Sequence, residues 1–346
     1  MAQPTVPAMR PPGSPVAPGP AHGDLLAGRY RLDERIALTE TTVLWRAVDQ
    51  ILARPVAVKV LLSPSQDARR RFLGAATAIG AVHSPLLARV YDAAVTGPPG
   101  GEAYVVAEWL PGVPLHRLLD NGPLPVAQVI SLMRGAADAL SAAHAAGVSH
   151  GRVHPGNIFL GPDGRVRLSD ASLAAAAHDD PPASRSDGVT ADTRDLAATA
   201  YALLTGRWPG GPSPQPGGAL ALAPRAAGLV RSPRQLRAAV PRAVDRVVLA
   251  ALDPRRAGRG LSTRSPDAFA SALEETVRPS RSGGRAVVGR LRRRLPLVLG
   301  AAALAGLGFA GYRTGLALGA LPVEPGEPAA SRSSASLQPA PAGATR

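Results

Sequence analysis

The 346-residue chain contains no cysteine, which excludes disulfides, thiolate nucleophiles and Cys-ligated zinc. Its formal net charge of +14 is concentrated towards one end, because eight arginines and no acidic residue lie between Thr276 and Val323, beside the most apolar part of the chain. This pattern is typical of a segment that lies against a membrane surface. The remaining charge is scattered and has no interleaved aromatic residues to stack on bases, so nucleic-acid binding is not expected.

The predicted elements begin after a Pro-rich segment, residues 1–27, which we expect to be a disordered leader. From Gly28, short runs rich in β-branched residues predict strands: RYRL, TTVLWRAVD and RPVAVKVLL, and later LLARVYDAAV and AYVVAEWL. Residues 67–83 show helical spacing of apolar residues. Further helices are predicted at 126–146, 192–206, 234–252 and 266–278. A β-rich first third followed by a helical remainder indicates an α+β fold.

Residues 295–312 form an uncharged apolar run that predicts a membrane-spanning helix, extending to Leu321 if Arg313 snorkels. The alternative, a buried soluble helix, is weakened by the arginines of the basic linker, 279–294. Their position predicts that the preceding domain is cytoplasmic and that the tail, 322–346, lies outside the cell membrane.

Glycines 311, 315 and 319 are spaced four residues apart within this segment. Small residues at that spacing allow close helix packing, and they leave two interpretations open. Either the chain forms a homodimer through the spanning helix, or the glycines follow the general composition of the sequence.

Five segments between Gly28 and Arg278 resemble motifs of the bacterial Ser/Thr protein kinases, especially the actinobacterial ones, in the family's order and spacing. They are RPVAVKVL (third strand), AYVVAEWLPG (hinge), HGRVHPGNIFL (catalytic loop), VRLSDASL (metal-binding segment) and DTRDLAATAYALLTGRWP (a helix with a structural Asp). The resemblance implies a two-lobed protein-kinase-like fold, with a small β-rich N-lobe over 28–107 and a helical C-lobe over 111–278, followed by one transmembrane helix over 295–321.

The resemblance also implies where a nucleotide would lie. Lys59, the only lysine of the chain, matches the residue that holds the α- and β-phosphates of ATP. Leu44 stands where an apolar side chain covers the adenine ring, and the hinge corresponds to Glu108, Trp109 and Leu110. These five residues are the predicted cofactor-binding set.

Asn157 and Asp170 match the Mg²⁺ ligands of the family, and we expect them either to bind the metal weakly or only to connect the loops. The position of the catalytic base is occupied by Arg152, whose guanidinium cannot accept a proton. His154, two residues later, is a weak candidate for a substitute. No catalytic residue is therefore expected.

Two further parts of the phosphate-transfer machinery are missing. The helix Glu that should pair with Lys59 is replaced by Gly74 or Ala75, so Lys59 is expected to pair with Asp170 or with a ligand. The glycine-rich loop instead reads Ala37, Thr39 and Glu40, which hinders close approach of the backbone to phosphates. We expect ATP and Mg²⁺ to bind weakly or not at all.

The sequence therefore predicts a membrane-tethered pseudokinase, a regulatory binding or scaffold module in Ser/Thr phosphosignalling. By resemblance, its expected partners are other Ser/Thr kinases or phosphothreonine-binding proteins, in a context related to the cell wall. The alternative is a divergent but active Ser/Thr kinase that transfers the γ-phosphate of ATP to protein hydroxyls.

Overall fold

The computed structural model describes residues 19–63, 65–97, 101–178, 184–210, 220–253 and 263–278. All of them belong to one compact unit that ends at Pro279. Over these ranges, no helix is both long enough and apolar enough to cross a bilayer. The predicted spanning segment, 295–321, lies outside the described residues, as do the basic linker, the tail and residues 1–18 of the leader.

The first lobe is built on a six-stranded antiparallel sheet in the order β1–β2–β3–β4–β6–β5. The strands are β1 (Leu25–Leu26), β2 (Tyr30–Leu38), β3 (Thr42–Asp49), β4 (Arg54–Leu61), β5 (Val90–Val95) and β6 (Ala103–Glu108). Helix α1 (Gln66–Gly80) connects β4 to β5. The sheet thus begins three residues before the predicted start of the lobe.

The two faces of this sheet have different environments, because side chains alternate along each strand. Trp45 and Val58 lie on the outer face, in a closed apolar cluster. Leu61 and Val105 lie on the inner face and pack against Phe72 of α1. The inner face is therefore the one that meets the rest of the molecule.

The second lobe is mainly helical. Its helices are α2 (Leu115–Leu118), α3 (Val126–Ala145), α4 (Leu173–Ala177), α5 (Arg185–Thr205), α6 (Pro233–Leu236), α7 (Arg242–Leu252) and α8 (Pro266–Glu275). A small sheet of β7 (Val113–Pro114), β8 (Ile158–Leu160) and β9 (Val166–Leu168) lies beside the cleft, and β10 (Arg225–Ala226) pairs with β11 (Leu229–Val230). The predicted two-lobed kinase-like arrangement is confirmed.

Two helices differ from the sequence-based expectation. The helix predicted over 234–252 is divided into α6 and α7, because Pro241 immediately precedes α7 and cannot continue a hydrogen-bonded turn. Helix α5 begins seven residues earlier than expected, since the Ser184 side chain caps it by accepting a hydrogen bond from Asp187 N. This longer α5 crosses the core of the second lobe and carries the aspartates that hold the catalytic loop.

Candidate active-site cleft

Strands β3 and β4 place Lys59 beside Leu44, because the two residues are register partners in an antiparallel pair. Both alternate along their strands with residues of the outer cluster, so their side chains lie on the inner face of the sheet. Each is half-buried. The fold thus brings together the residues predicted to hold phosphate and to cover the ring.

Lys59 forms an ion pair with Asp170, in which Nζ donates to Oδ2. Of the two partners expected for Lys59, the internal carboxylate is the one observed. Asp170 follows β9 and has a φ of 68°, in the left-handed region, which directs its carboxylate towards the sheet of the first lobe. The contact therefore joins the two lobes.

The catalytic loop, residues 150–157, is held in place by hydrogen bonds to two aspartates of α5. Asp192, fully buried, accepts hydrogen bonds from His150 N at 2.8 Å and from Gly151 N at 2.7 Å. Asp195 accepts one from Val153 N at 3.2 Å. These bonds satisfy backbone donors that no regular element satisfies, so they determine the path of the loop.

Arg152 lies in the middle of this loop, at the position of the missing base. Its carbonyl oxygen accepts a hydrogen bond from Asn157 Nδ2 at 2.6 Å. A guanidinium remains protonated at physiological pH and offers only donors. The side chain can therefore bind an anion or a carbonyl, but it cannot deprotonate a hydroxyl.

His154 is poorly suited to replace the base. Desolvation, assisted by the nearby His150 and Lys59, lowers the pKa of His154 to about 3. Its Nδ1 already accepts a hydrogen bond from Gly156 N at 3.0 Å. A group with so low a pKa gives little driving force for proton abstraction near neutral pH.

The two predicted metal ligands are both engaged within the protein. Besides donating to Arg152, the Asn157 side chain accepts a hydrogen bond from His154 N through Oδ1 at 3.0 Å, and Asp170 is paired with Lys59. Mg²⁺ requires near-octahedral oxygen coordination. Among the described residues no group of three or more His, Cys, Asp or Glu side chains is placed to hold a metal. In this arrangement a metal ion would compete with Lys59 for the Asp170 carboxylate and with His154 N for Asn157 Oδ1.

The hinge residues occupy one border of the cleft. Glu108 forms a two-pronged ion pair with Arg167 of β9, with both N–O distances 2.7 Å. Burial alone would raise the pKa of Glu108, but hydrogen bonds from Arg167 and from Arg89 N lower it overall. Trp109 is half-buried beneath the Arg46 guanidinium, 5.7 Å from the ring centroid, and Leu110 is buried. The Glu108 carboxylate thus serves to join the lobes.

Helix α4, which directly follows the Asp170 segment, is a feature that the sequence analysis did not predict. All five of its side chains are buried, and Leu173 and Ala177 share an apolar cluster with Phe72 of α1. On the opposite side, Ala175 packs so closely on Gly151 that a methyl group at Gly151 would stand 2.6 Å from the Ala175 Cβ. The sequence signal for this helix was the run LAAAA, because alanine has the highest helix propensity of any residue type.

His178 extends this contact to the turn between β2 and β3. Its Nδ1 donates to the Ala174 carbonyl at 3.0 Å, because that oxygen can only accept. The Thr41 hydroxyl lies 3.2 Å from Nδ1 and 3.4 Å from Nε2. Because the proton on Nδ1 is donated to Ala174, the hydroxyl donates to Nε2. Desolvation lowers the pKa of His178, which favours the neutral ring that this bond requires. The turn that replaces the glycine-rich loop is therefore tied to the segment after Asp170.

A separate cavity of about 290 Å³ lies in the second lobe, and Asp195 of α5 is among its lining residues. Its lining includes Arg194, Trp208, Arg225 and Leu249. None of the predicted site residues borders it. We therefore place the candidate site in the cleft, where the chemical groups converge.

Comparison with known proteins agrees with this geometry. The family model for protein tyrosine and serine/threonine kinases matches residues 41–197. The Ser/Thr kinase PknA of Mycobacterium tuberculosis is 38% identical over 164 residues, which cover 45% of this chain and 38% of PknA. PknL of the same organism is 35% identical over 161 residues, which cover 45% of this chain and 40% of PknL. The chain thus spans about two fifths of the length of these relatives.

The fold is also that of a solved kinase domain. The crystal structure of the M. tuberculosis PknI kinase domain superposes with a TM-score of 0.55, covering 74% of this chain and 99% of that domain at 24% identity. At that identity the likeness supports the fold alone. The family model and the curated relatives show that residues 41–197 are similar to protein kinases, among them bacterial Ser/Thr kinases.

Proposed function

We propose that the protein is a membrane-tethered pseudokinase, a regulatory binding or scaffold module in Ser/Thr phosphosignalling. The observation that carries this proposal is the position of Arg152. The loop around it is held by Asp192 and Asp195, so the guanidinium, and not a carboxylate, stands at the position of the base. Loss of a general base alone typically costs about 10²–10⁴ in rate.

The remaining groups of the cleft support the same conclusion. Lys59 and Asp170 neutralise each other, and the Asn157 amide is used within its own loop. A phosphate or a metal would have to compete with these contacts for the same side chains. The cleft is therefore organised to hold the two lobes together.

The membrane part of the proposal rests on the sequence of 295–321 and its arginine-rich flank. Tethering would keep the kinase-like domain at the inner face of the membrane, where it could bind other Ser/Thr kinases or phosphothreonine-binding proteins. Pairing of two chains through the spanning helix, and a context related to the cell wall, belong to the same proposal.

A divergent active kinase is the second candidate, because Lys59, Asp170 and Asn157 still lie close together around the cleft. The two candidates separate in a phosphate-transfer assay with the purified full-length chain, radiolabelled ATP, Mg²⁺ and a generic protein substrate. We expect no transfer above background. Transfer that depends on Mg²⁺ and disappears in Lys59→Met would contradict the pseudokinase proposal.

The tethering is tested separately by cysteine accessibility, since the natural chain has no cysteine. We expect a membrane-impermeant maleimide to label Ser334→Cys in intact cells, whereas Ala81→Cys should react only after lysis. Labelling of both variants, or of neither, in intact cells would contradict the proposed topology.

A further inference from the structure

We propose that residues 173–178, here called the plug, occupy the phosphate end of the cleft, so that the cleft takes a phosphate-free ligand of the nucleoside class in preference to a nucleoside triphosphate with Mg²⁺. This inference rests on the proposed function, because it concerns the cleft of the same catalytically silent domain. It adds the class of ligand and the internal segment that selects it.

The ring end of the cleft offers a flat apolar surface. Ala57 and Ala107 are register partners on β4 and β6, and both are half-buried. Ala57 lies two residues before Lys59, so it shares the inner face of the sheet. Two alanines opposite each other present only methyl groups on this face, and Leu44 stands on the neighbouring strand. This composition suits the faces of a planar heterocycle.

The phosphate end is occupied by groups of the protein itself. The plug contacts three separate elements: α1 through Leu173 and Ala177, the catalytic loop through Ala175, and the β2–β3 turn through His178. The space between that turn and the catalytic loop is where the resemblance places the terminal phosphates. A triphosphate must therefore displace the plug, whereas a nucleoside need not.

The charges at this end also disfavour a triphosphate. The Lys59 ammonium is neutralised by Asp170, and Glu40 adds an exposed carboxylate beside Thr41 in the turn. Mg²⁺ would have to compete with Lys59 for Asp170 before it could offset these charges. A nucleoside carries no charge, so its binding is not opposed by the carboxylates at this end of the cleft.

The test measures binding of radiolabelled adenosine and ATP to the purified full-length chain by equilibrium dialysis, with and without Mg²⁺. For the natural protein we expect adenosine to bind at least as tightly as ATP, with less than about a twofold effect of Mg²⁺ on either. Ala57→Phe, which fills the ring end, should abolish adenosine binding.

Two variants are designed to displace the plug from the cleft, each by disrupting a different contact. In Gly151→Ala the added methyl collides with Ala175, and in His178→Ala the bond to Thr41 is lost. We expect either change to raise the affinity for ATP by about tenfold while leaving that for adenosine unchanged. His83→Ala is the matched control and should change neither affinity, because His83 is exposed and its Nδ1 bonds the carbonyl of Ala81, outside the cleft.

Three results would overturn the inference: tighter binding of ATP with Mg²⁺ than of adenosine to the natural protein, no binding of adenosine, or no gain for ATP in either folded plug variant. None of these results bears on phosphate transfer. A silent transfer assay with no nucleoside binding would remove the ligand and leave the scaffold proposal intact, whereas active transfer would remove the scaffold proposal itself.

Discussion

The catalytic loop contacts α5 on one side and the cleft on the other, and the two sides differ in how closely they follow the kinase pattern. Towards α5, Asp192 matches the structural Asp of the family and satisfies two backbone donors of the loop. Towards the cleft, Arg152 and His154 replace the residues that would act on a substrate. The path of the loop is therefore maintained although the residues that face the cleft differ from the family pattern.

This difference shows that the fold and the reaction depend on separate groups, even within eight consecutive residues. The buried carboxylate of Asp192 stabilises the loop whatever side chain occupies position 152. A change at the base position leaves every one of these loop-to-α5 bonds in place. Kinase geometry is consequently no measure of kinase activity in this chain.

The largest effect on stability is expected when the hydrogen bonds between α5 and the catalytic loop are removed. Asp192→Ala leaves His150 N and Gly151 N without an acceptor in a buried region and removes the contact of the carboxylate with His144. We expect the free energy of unfolding to fall by about 3–5 kcal/mol, because buried donors without partners are costly. Urea denaturation followed by tryptophan fluorescence measures the change.

The control for this variant is Asp163→Ala, which removes an exposed carboxylate from a surface turn. We expect its effect to stay within about 0.5 kcal/mol. Equal effects of the two substitutions would mean that the loop is not held by α5, and the contrast between its two sides would fail.

Much of this framework is readable from the sequence, because it depends on local patterns. Alternation of apolar residues predicts the strands around Lys59, and helical spacing predicts α3 almost to the residue. The plug was missed because its stability depends on contacts with residues distant in sequence, such as Thr41 with His178. The ion pair between Glu108 and Arg167 could not be predicted either, because the alternation of residues along a strand does not show which side chains of the two lobes form contacts.

The cleft side is tested by the pH dependence of stability. Desolvation, with the positive charges around it, lowers the pKa of His154 to about 3, whereas an unfolded histidine has a pKa of about 6.5. Between these values the unfolded chain binds a proton that the folded chain does not, so stability decreases as the pH falls through 6.5. The loss from this residue reaches about 2 kcal/mol at pH 5.

His154→Gln removes this contribution, so its free energy of unfolding should decrease less than that of the natural protein between pH 7.5 and pH 5. Urea titrations at several pH values provide the comparison. Parallel curves for the two proteins would show that His154 titrates normally in the folded state, which would restore it as a candidate base and break the contrast between the two sides of the loop.

The smallest expected effect concerns the hinge: Glu108 is the last residue of β6, Glu102 immediately precedes the strand, and their pKa values are shifted in opposite directions. Hydrogen bonds from Arg167 and Arg89 N outweigh burial and lower the pKa of Glu108, while burial raises the pKa of Glu102. The ionised Glu108 therefore stabilises the fold above its unfolded pKa, and this contribution is lost as the pH falls through its folded value. We expect Glu108→Gln to cost about 1 kcal/mol at pH 7 and nothing once the carboxyl is protonated.

Glu102→Gln is the matched control, because ionisation of Glu102 opposes folding and the contribution of its neutral form is lost as the pH rises. At pH 7 this variant should be as stable as the natural protein or slightly more stable, as measured by urea denaturation. A loss in Glu102→Gln equal to that in Glu108→Gln would mean that the cost of removing the charge is not specific to the ion pair with Arg167. The bridge from Glu108 to Arg167 would then not contribute to holding the two lobes together.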